Sequence, residues 1–157
     1  MTATRFLLAV AVTAVIGVGI FGWIASRQVD VQRTPSKEAQ LALLAQRQAI
    51  EDTLPVFDLD AGRRPAHRPS HSMQGRGELA TSLHVLAYYA DGGRLVRANV
   101  PFWFLKLKGP AAQLALRGTG FDLEKLEATP AELQRLGPRL LLDEIWSNGN
   151  RLLVWTE

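Results

Sequence analysis

The chain has 157 residues, of which 47% are hydrophobic, so it has room for one long apolar segment and one compact domain. Its net charge of +3 owes two units to Arg5 and Arg27, and its other 16 Lys and Arg nearly balance 15 Asp and Glu. This balance argues against a nucleic-acid-binding protein, which normally carries a concentrated basic surface. Because there is no Cys, the composition also excludes disulfides, thiol catalysis and Cys-ligated zinc.

The segment from Phe6 to Ala25 predicts a transmembrane helix. It has no charged residue over 20 positions, and a helix of that length spans about 30 Å, the thickness of the hydrocarbon core of a bilayer. Trp23 and the flanking Arg5 and Arg27 are typical interfacial anchors. The alternative is a cleaved secretory signal, but cleavage after Ala25 would place the bulky Trp23 at the −3 position. We therefore predict a single-pass anchor over residues 1–27.

The orientation of this anchor depends on the basic residues beside it. Arg27, Arg33 and Lys37 follow the apolar segment, whereas only Arg5 and the α-amino group precede it. A strict charge count would leave the domain in the cytoplasm. A short basic tail before a long apolar run is nevertheless the usual start of a signal anchor. We predict a domain on the non-cytoplasmic side of the membrane.

Residues 28–57 are expected to form a polar connector and an amphipathic helix. Thr34 followed by Pro35 resembles a helix N-cap with Pro at the first helical position. The helix is predicted to continue to Leu54, with Ala39, Leu43, Ile50 and Leu54 on its apolar stripe and with Leu41 and Leu44 beside it. This helix either docks on its own domain or forms a short self-associating stalk, although the apolar pattern lasts barely two heptads.

Residues 58–77 predict a flexible linker because Pro, Gly and Ser alternate there with arginine. Its positive charge could contact anionic lipid headgroups, as an alternative to a purely solvated linker. His67 and His71 have the spacing of a metal-binding pair on a helix, but Pro65 and Pro69 disfavour a helix here. We therefore predict no metal site.

Residues 78–157 predict an α+β domain with a largely antiparallel sheet, two hairpins and two or three short helices. The first hairpin turns at residues 90–93 and the second at Ser147–Asn150, where Asn-Gly favours a type I′ turn. A capping box at Thr129, Pro130 and Glu132 predicts a helix. Residues 110–117 are ambiguous between helix and strand.

The segment after Pro101 is the candidate interface of the domain. Its alternation predicts a strand with one basic, solvent-facing side. Alternatively, its aromatic rings enter lipid headgroups while its lysines meet phosphates. The candidate interface residues are Phe102, Trp103, Phe104, Lys106 and Lys108.

No motif for catalysis or for cofactor binding is present, so we predict a protein that is not an enzyme and has no cofactor. Ser72 beside His71 lacks a nucleophile elbow. His84 alternates within a predicted strand, where a surface or boundary position is more common than a general base. The expected function is a membrane-anchored binding or accessory module for another membrane or envelope protein. The alternative is a lipid or small-ligand binding domain at the membrane surface, with an apolar pocket.

Overall fold

The computed structural model of the protein describes residues 29–50, 54–59, 65–67, 77–106, 116, 119–126 and 128–157. The predicted anchor from Phe6 to Ala25 lies outside these ranges. Within them, no helix is long and apolar enough to cross a bilayer.

A five-stranded antiparallel sheet organises the described residues. Its strands are β1 (Val29–Arg33), β4 (Ser82–Tyr89), β5 (Arg94–Pro101), β6 (Arg139–Ile145) and β7 (Arg151–Thr156). They lie in the order β1-β5-β4-β7-β6. A separate two-stranded antiparallel pair consists of β2 (Phe57–Leu59) and β3 (Pro65–His67). The α+β class and the antiparallel sheet are therefore confirmed.

Both predicted hairpins form. β4 and β5 are joined by a 3₁₀ turn (Ala90–Gly92), after which Gly93 adopts a left-handed conformation with φ of 55°. β6 and β7 are joined at Ser147–Asn150, where Gly149 has φ of 83°. A residue with a side chain is disfavoured at such φ values, so the two glycines make these turns possible.

Three helices and a second 3₁₀ turn (Leu123–Leu126) complete the described elements: α1 (Ser36–Ala49), α2 (Phe102–Leu105) and α3 (Pro130–Arg135). The capping box of α3 forms as predicted between Thr129 and Glu132. The prediction for α1 is wrong at both ends. Pro35 is the N-cap residue, while the backbone N–H of Thr34 donates to the carbonyl of Gly93 at 2.7 Å. The helix ends at Ala49, so Leu54 lies beyond it and is exposed.

The helix α1 packs on its own domain and covers one face of the sheet. Ala39 and Leu43 of α1 are buried against apolar side chains of four strands: Leu86, Tyr88, Leu95, Leu140, Leu153 and Trp155. Arg47 of α1 also donates to Asp143 of β6 at 2.8 Å, which ties the helix to the edge of the sheet. We call this the helix face of the sheet.

The opposite face of the sheet carries the larger core. Leu83, Val85, Ala98 and Val100 point into it, and it also contains side chains from outside the sheet: Val56, Phe57, Phe102, Phe104, Leu126 and Leu133. The sheet is therefore buried on both faces, with the larger share of the apolar contacts on this side.

Three sequence expectations about segments differ from the structure. The expected connector is the edge strand β1, since its backbone completes a ladder with β5. The expected linker contains part of the β2–β3 pair, which contacts β6 through Val56, whose N–H donates to the carbonyl of Leu140. The expected strand after Pro101 is the helical turn α2. This turn places Phe102, Phe104 and Leu105 together in the core, whereas strand alternation would put Leu105 on the face opposite the two phenylalanines.

Candidate functional site

A groove lies on the helix face of the sheet, where Gln46 of α1 contributes to its lining. Its volume is about 380 Å³. Its lining combines the apolar residues Val85, Leu86 and Ala98 with side chains that carry hydrogen-bonding or charged groups: Asp30, Gln46, His84, Arg97, Asn99, Trp155 and Glu157. We call this site the helix-face groove.

Strand register explains why these side chains converge. His84 of β4 lies directly between Asn99 of β5 and Trp155 of β7, so the three side chains form a row across the sheet. In a neighbouring row, Asp30 of the edge strand pairs with Arg97 of β5. Because side chains alternate between the two faces of a strand, all five point to the helix face. The groove therefore combines the central strands β4, β5 and β7 with the edge strand β1, whose sequence predicts a connector.

His84 and Trp155 form the floor of the groove. Their rings stack with centroids 5.1 Å apart and planes at 16°. The Nε2 atom of His84 lies 2.9 Å from Ser82 Oγ and 3.4 Å from Glu157 Oε2. The indole N–H of Trp155 donates to the other carboxylate oxygen of Glu157 at 2.9 Å. Glu157 thus links the two rings of the floor.

The electrostatic environment of His84 favours the neutral imidazole. Burial lowers the pKa of His84 below its ordinary value, and the neighbouring Glu157 carboxylate partly offsets this shift by raising the pKa. The side chain is 15% exposed, whereas that of Glu157 is 58% exposed. A neutral imidazole can both donate and accept hydrogen bonds, so the floor is polar without carrying a fixed positive charge.

The contacts of His84 do not form a Ser-His-acid relay. In such a relay, the hydroxyl binds one ring nitrogen and the carboxylate binds the other, so that the acid orients the base toward the nucleophile. Here Ser82 Oγ and Glu157 Oε2 both lie at Nε2. The arrangement is suited to binding, because charged groups of both signs and amide groups surround a rigid aromatic floor.

The candidate interface residues lie elsewhere, at one end of the sheet. Phe102 and Phe104 are buried in the core, whereas Trp103 between them is 56% exposed. Lys106 is exposed, and its Nζ donates to Gln134 Oε1 of α3. Lys108 lies outside the described residues. The structure therefore leaves Trp103 and Lys106 accessible.

The histidines expected not to bind metal are only partly described. The backbone of His67 belongs to β3, and His71 lies outside the described ranges. Among the residues that the structure describes, no group of three or more His, Asp or Glu could hold a metal ion.

Sequence reasoning did not find the helix-face groove. The alternation of β4 separated His84 from the apolar side chains of the main core, but the polar composition of residues 28–33 indicated a connector and so concealed Asp30. Glu157 stands after the last strand and belongs to no motif. Only the order of strands in the sheet brings these residues together.

Comparisons with protein-family models, with curated proteins and with solved structures gave no match from which a relationship could be drawn.

Proposed function

We propose that the protein is a membrane-tethered binding module that receives a segment of another membrane or envelope protein in the helix-face groove. The observation that carries this proposal is the convergence of Asp30, Arg97, Asn99 and Glu157 around the His84–Trp155 floor. The predicted anchor over residues 1–27 supplies the tether. The domain is proposed to lie on the non-cytoplasmic side and to act without catalysis.

The construction of the groove supports recognition. The strands that carry His84 and Trp155 are central in the sheet and pair on both sides, so these side chains stand on a rigid base. The exposed rim offers a guanidinium group at Arg97, an amide at Asn99 and a carboxylate at Asp30. Such groups can pair with polar or charged side chains and backbone groups of a partner, while the aromatic floor offers an apolar contact beside them.

Site-specific crosslinking in the native host tests this proposal. A photoreactive benzophenone amino acid replaces Asn99 at the rim of the groove, and the matched control carries it at Ser147, which is exposed in the turn between β6 and β7. We expect a discrete protein adduct from position 99, absent from position 147 and suppressed by Arg97→Glu. Equal labelling at the two positions, or no adduct at position 99, would contradict the proposal.

The orientation of the domain can be measured separately. Reporter enzymes that are active in only one compartment are fused after Glu157 in the full chain. We expect activity of the non-cytoplasmic reporter. Activity of the cytoplasmic reporter would overturn the proposed location and would leave the crosslinking result to decide the binding function.

A small polar ligand is the second candidate for the groove. Its volume of about 380 Å³ lies within the range of roughly 300–1,000 Å³ that is usual for small-molecule sites. The lining combines charged and amide groups with apolar surface, which suits a ligand that carries both a polar group and an apolar part. Native mass spectrometry of the full chain tests this candidate. A mass increment that is lost in Arg97→Ala and kept in the control Arg135→Ala would support it, and a bare mass in both would contradict it.

A further inference from the structure

One end of the sheet carries both the start of the described domain and the exposed Trp103. Val29, the first residue of β1, pairs with Ala98 of the antiparallel strand β5. β5 then continues to Pro101, and α2 follows it directly. Because the two strands are antiparallel, Val29 lies at the end of the sheet toward which β5 runs from Ala98 to Pro101. Val29, where the described part of the domain begins, and the α2 turn therefore lie at the same end.

A second exposed apolar side chain belongs to this end. Leu79 is 59% exposed and Trp103 is 56% exposed. Their segments are joined by hydrogen bonds, since Phe102 N–H donates to the carbonyl of Thr81 at 3.0 Å. Gln134 of α3 then bridges the two segments, because it donates to the carbonyl of Ala80 and accepts from Lys106. We call Leu79, Trp103 and Lys106 the tether-end surface.

We propose that the tether-end surface rests on the lipid bilayer, with Leu79 and Trp103 at the depth of the headgroups. This inference rests on the proposed membrane tether. Only residues 26–28 separate Ala25 from Val29, a distance of at most about 14 Å for an extended chain. The three residues of β5 beyond Ala98 project about 10 Å in that same direction. The α2 turn therefore comes within reach of the headgroups when the anchor is in the membrane.

The chemistry of the surface indicates insertion into the interface rather than attraction to anionic lipid. Indole rings favour the boundary between headgroups and acyl chains, and the ammonium group of Lys106 can remain among the phosphates. The charges at this end are mixed, since Lys106 and Arg135 are accompanied by the exposed Glu78 and Glu132. Two apolar side chains would hold a free domain only weakly. The tether makes their contact with the bilayer intramolecular, which favours it through a high effective concentration.

Depth measurements on the full chain in phosphatidylcholine vesicles test the inference. The chain has no Cys, so Leu79→Cys provides a unique position for a nitroxide label. Ile145→Cys is the matched control, because Ile145 is 65% exposed and lies at the opposite end of the sheet. We expect a label at position 79 to be more accessible to oxygen than to a water-soluble nickel chelate. The control label should show the reverse.

The Trp103 contribution is tested in the same vesicles. Adding Trp103→Ala to the Leu79→Cys chain should move that label toward water, while adding Ile145→Ala should leave its depth unchanged. A label at position 79 that is as accessible to the nickel chelate as the label at position 145 would overturn the inference.

Flotation of the vesicles separates failure of this inference from failure of the proposed function. If the full chain floats with the vesicles and position 79 is aqueous, the tether is retained and the docking surface is rejected. If the chain does not float with the vesicles, the tether itself is rejected and the docking surface with it.

Discussion

The imidazole ring of His84 lies almost parallel to the indole ring of Trp155, with 5.1 Å between their centroids. Their strands are direct neighbours, and the two residues are register partners in the β4–β7 ladder. Trp155 is buried, and its own N–H is bound to Glu157. The orientation of the imidazole is thus determined by the sheet and by a carboxylate that contacts both rings. Any ligand of the helix-face groove would meet this pair.

Lowering the pH should weaken the fold through His84. Its pKa is lower in the folded protein than the ordinary value of about 6.5, chiefly because of burial. The unfolded chain therefore binds a proton more readily at this position. The contribution of the neutral imidazole to the free energy of unfolding is fully present above pH 6.5. It is lost as the pH falls toward the pKa of His84 in the folded protein, and no further loss follows below that pKa. Urea unfolding of the wild type and of His84→Phe between pH 5 and 8 measures this pH dependence. The free energy of unfolding should fall less in the variant than in the wild type as the pH is lowered.

The role of Glu157 in this titration can be isolated by NMR. Because its carboxylate raises the pKa of His84 and so opposes burial, Glu157→Gln should lower the pKa of the imidazole further. Asp91→Asn, at the exposed turn beyond the far end of β4, serves as the control and should leave it unchanged. An imidazole that titrates at or above its ordinary value in the wild type would contradict the burial argument.

Two leucines of α1 should differ sharply in their contribution to stability. Leu43 is 1% exposed and packs against the helix face of the sheet, whereas Leu41 on the same helix is 66% exposed. Leu43→Ala leaves a cavity between helix and sheet and should lower the free energy of unfolding by about 2 to 4 kcal/mol. Leu41→Ala removes little buried surface and should change it by less than about 0.5 kcal/mol. Urea unfolding measures both.

Similar effects of the two substitutions would mean that α1 does not pack on the sheet through Leu43. If Leu41→Ala proved the more destabilising, the face of the helix assigned to the domain would be wrong. Circular dichroism before unfolding serves as the control that both variants retain their secondary structure.

The hairpins and α3 were predictable because each depends on neighbouring residues. Asn-Gly favours a tight turn, and a capping box is complete within four positions. The role of residues 28–33 was not predictable by such means. A polar segment becomes an edge strand only because β5, more than sixty residues later, offers an unpaired ladder. The sequence of such a strand is polar and therefore similar to that of a connecting segment.

Two Thr-Pro pairs that resemble each other in the sequence should respond differently to substitution. The hydroxyl of Thr129 accepts a hydrogen bond from the backbone N–H of Glu132, and the backbone N–H of Thr129 donates one to the carboxylate of Glu132. Thr34 lies one residue before the N-cap Pro35, and α1 has no side-chain cap. Thr129→Ala should therefore lower the free energy of unfolding by about 1 kcal/mol. Thr34→Ala should have a smaller effect, because its backbone contact with Gly93 remains.

Equal losses from the two substitutions, measured by thermal and urea unfolding, would show that the capping box contributes nothing specific. Thr129→Ser, which keeps the hydroxyl, is expected to retain most of the stability. It thereby distinguishes the hydrogen bond from the packing of the threonine methyl group.

The candidate interface after Pro101 shows the same dependence on distant contacts. Its run of aromatic, apolar and basic residues predicts a strand, whereas α2 buries Phe102 and Phe104 and leaves Trp103 exposed. In this helical turn Phe102, Phe104 and Leu105 all reach the core. The backbone conformation after Pro101 depends on the core residues against which this segment packs. The hydrogen bond from Phe102 to Thr81 is a contact between distant segments, which no local pattern specifies.

Replacing Gly120 should be among the more damaging single substitutions in the chain. Gly120 has φ of 62°, and a methyl group added there would collide with the hydroxyl of Tyr89. That hydroxyl donates to the carbonyl of Thr119, so it cannot move without losing a hydrogen bond. Gly120→Ala combines the strain of a left-handed backbone with this collision and should lower the free energy of unfolding by more than about 2 kcal/mol.

Gly77 provides the matched control, because it has φ of 83° with no atom within 4 Å of an added methyl group. Gly77→Ala should show only the backbone strain, about 1 to 2 kcal/mol. In a Tyr89→Phe background the hydroxyl is absent and the nearest ring carbon lies 3.3 Å from the added methyl group. The loss caused by Gly120→Ala should therefore shrink toward that of Gly77→Ala. A double-mutant cycle measures this coupling. Strict additivity of Tyr89→Phe and Gly120→Ala would show that the hydroxyl does not oppose a side chain at position 120, and the penalty would then belong to the backbone alone.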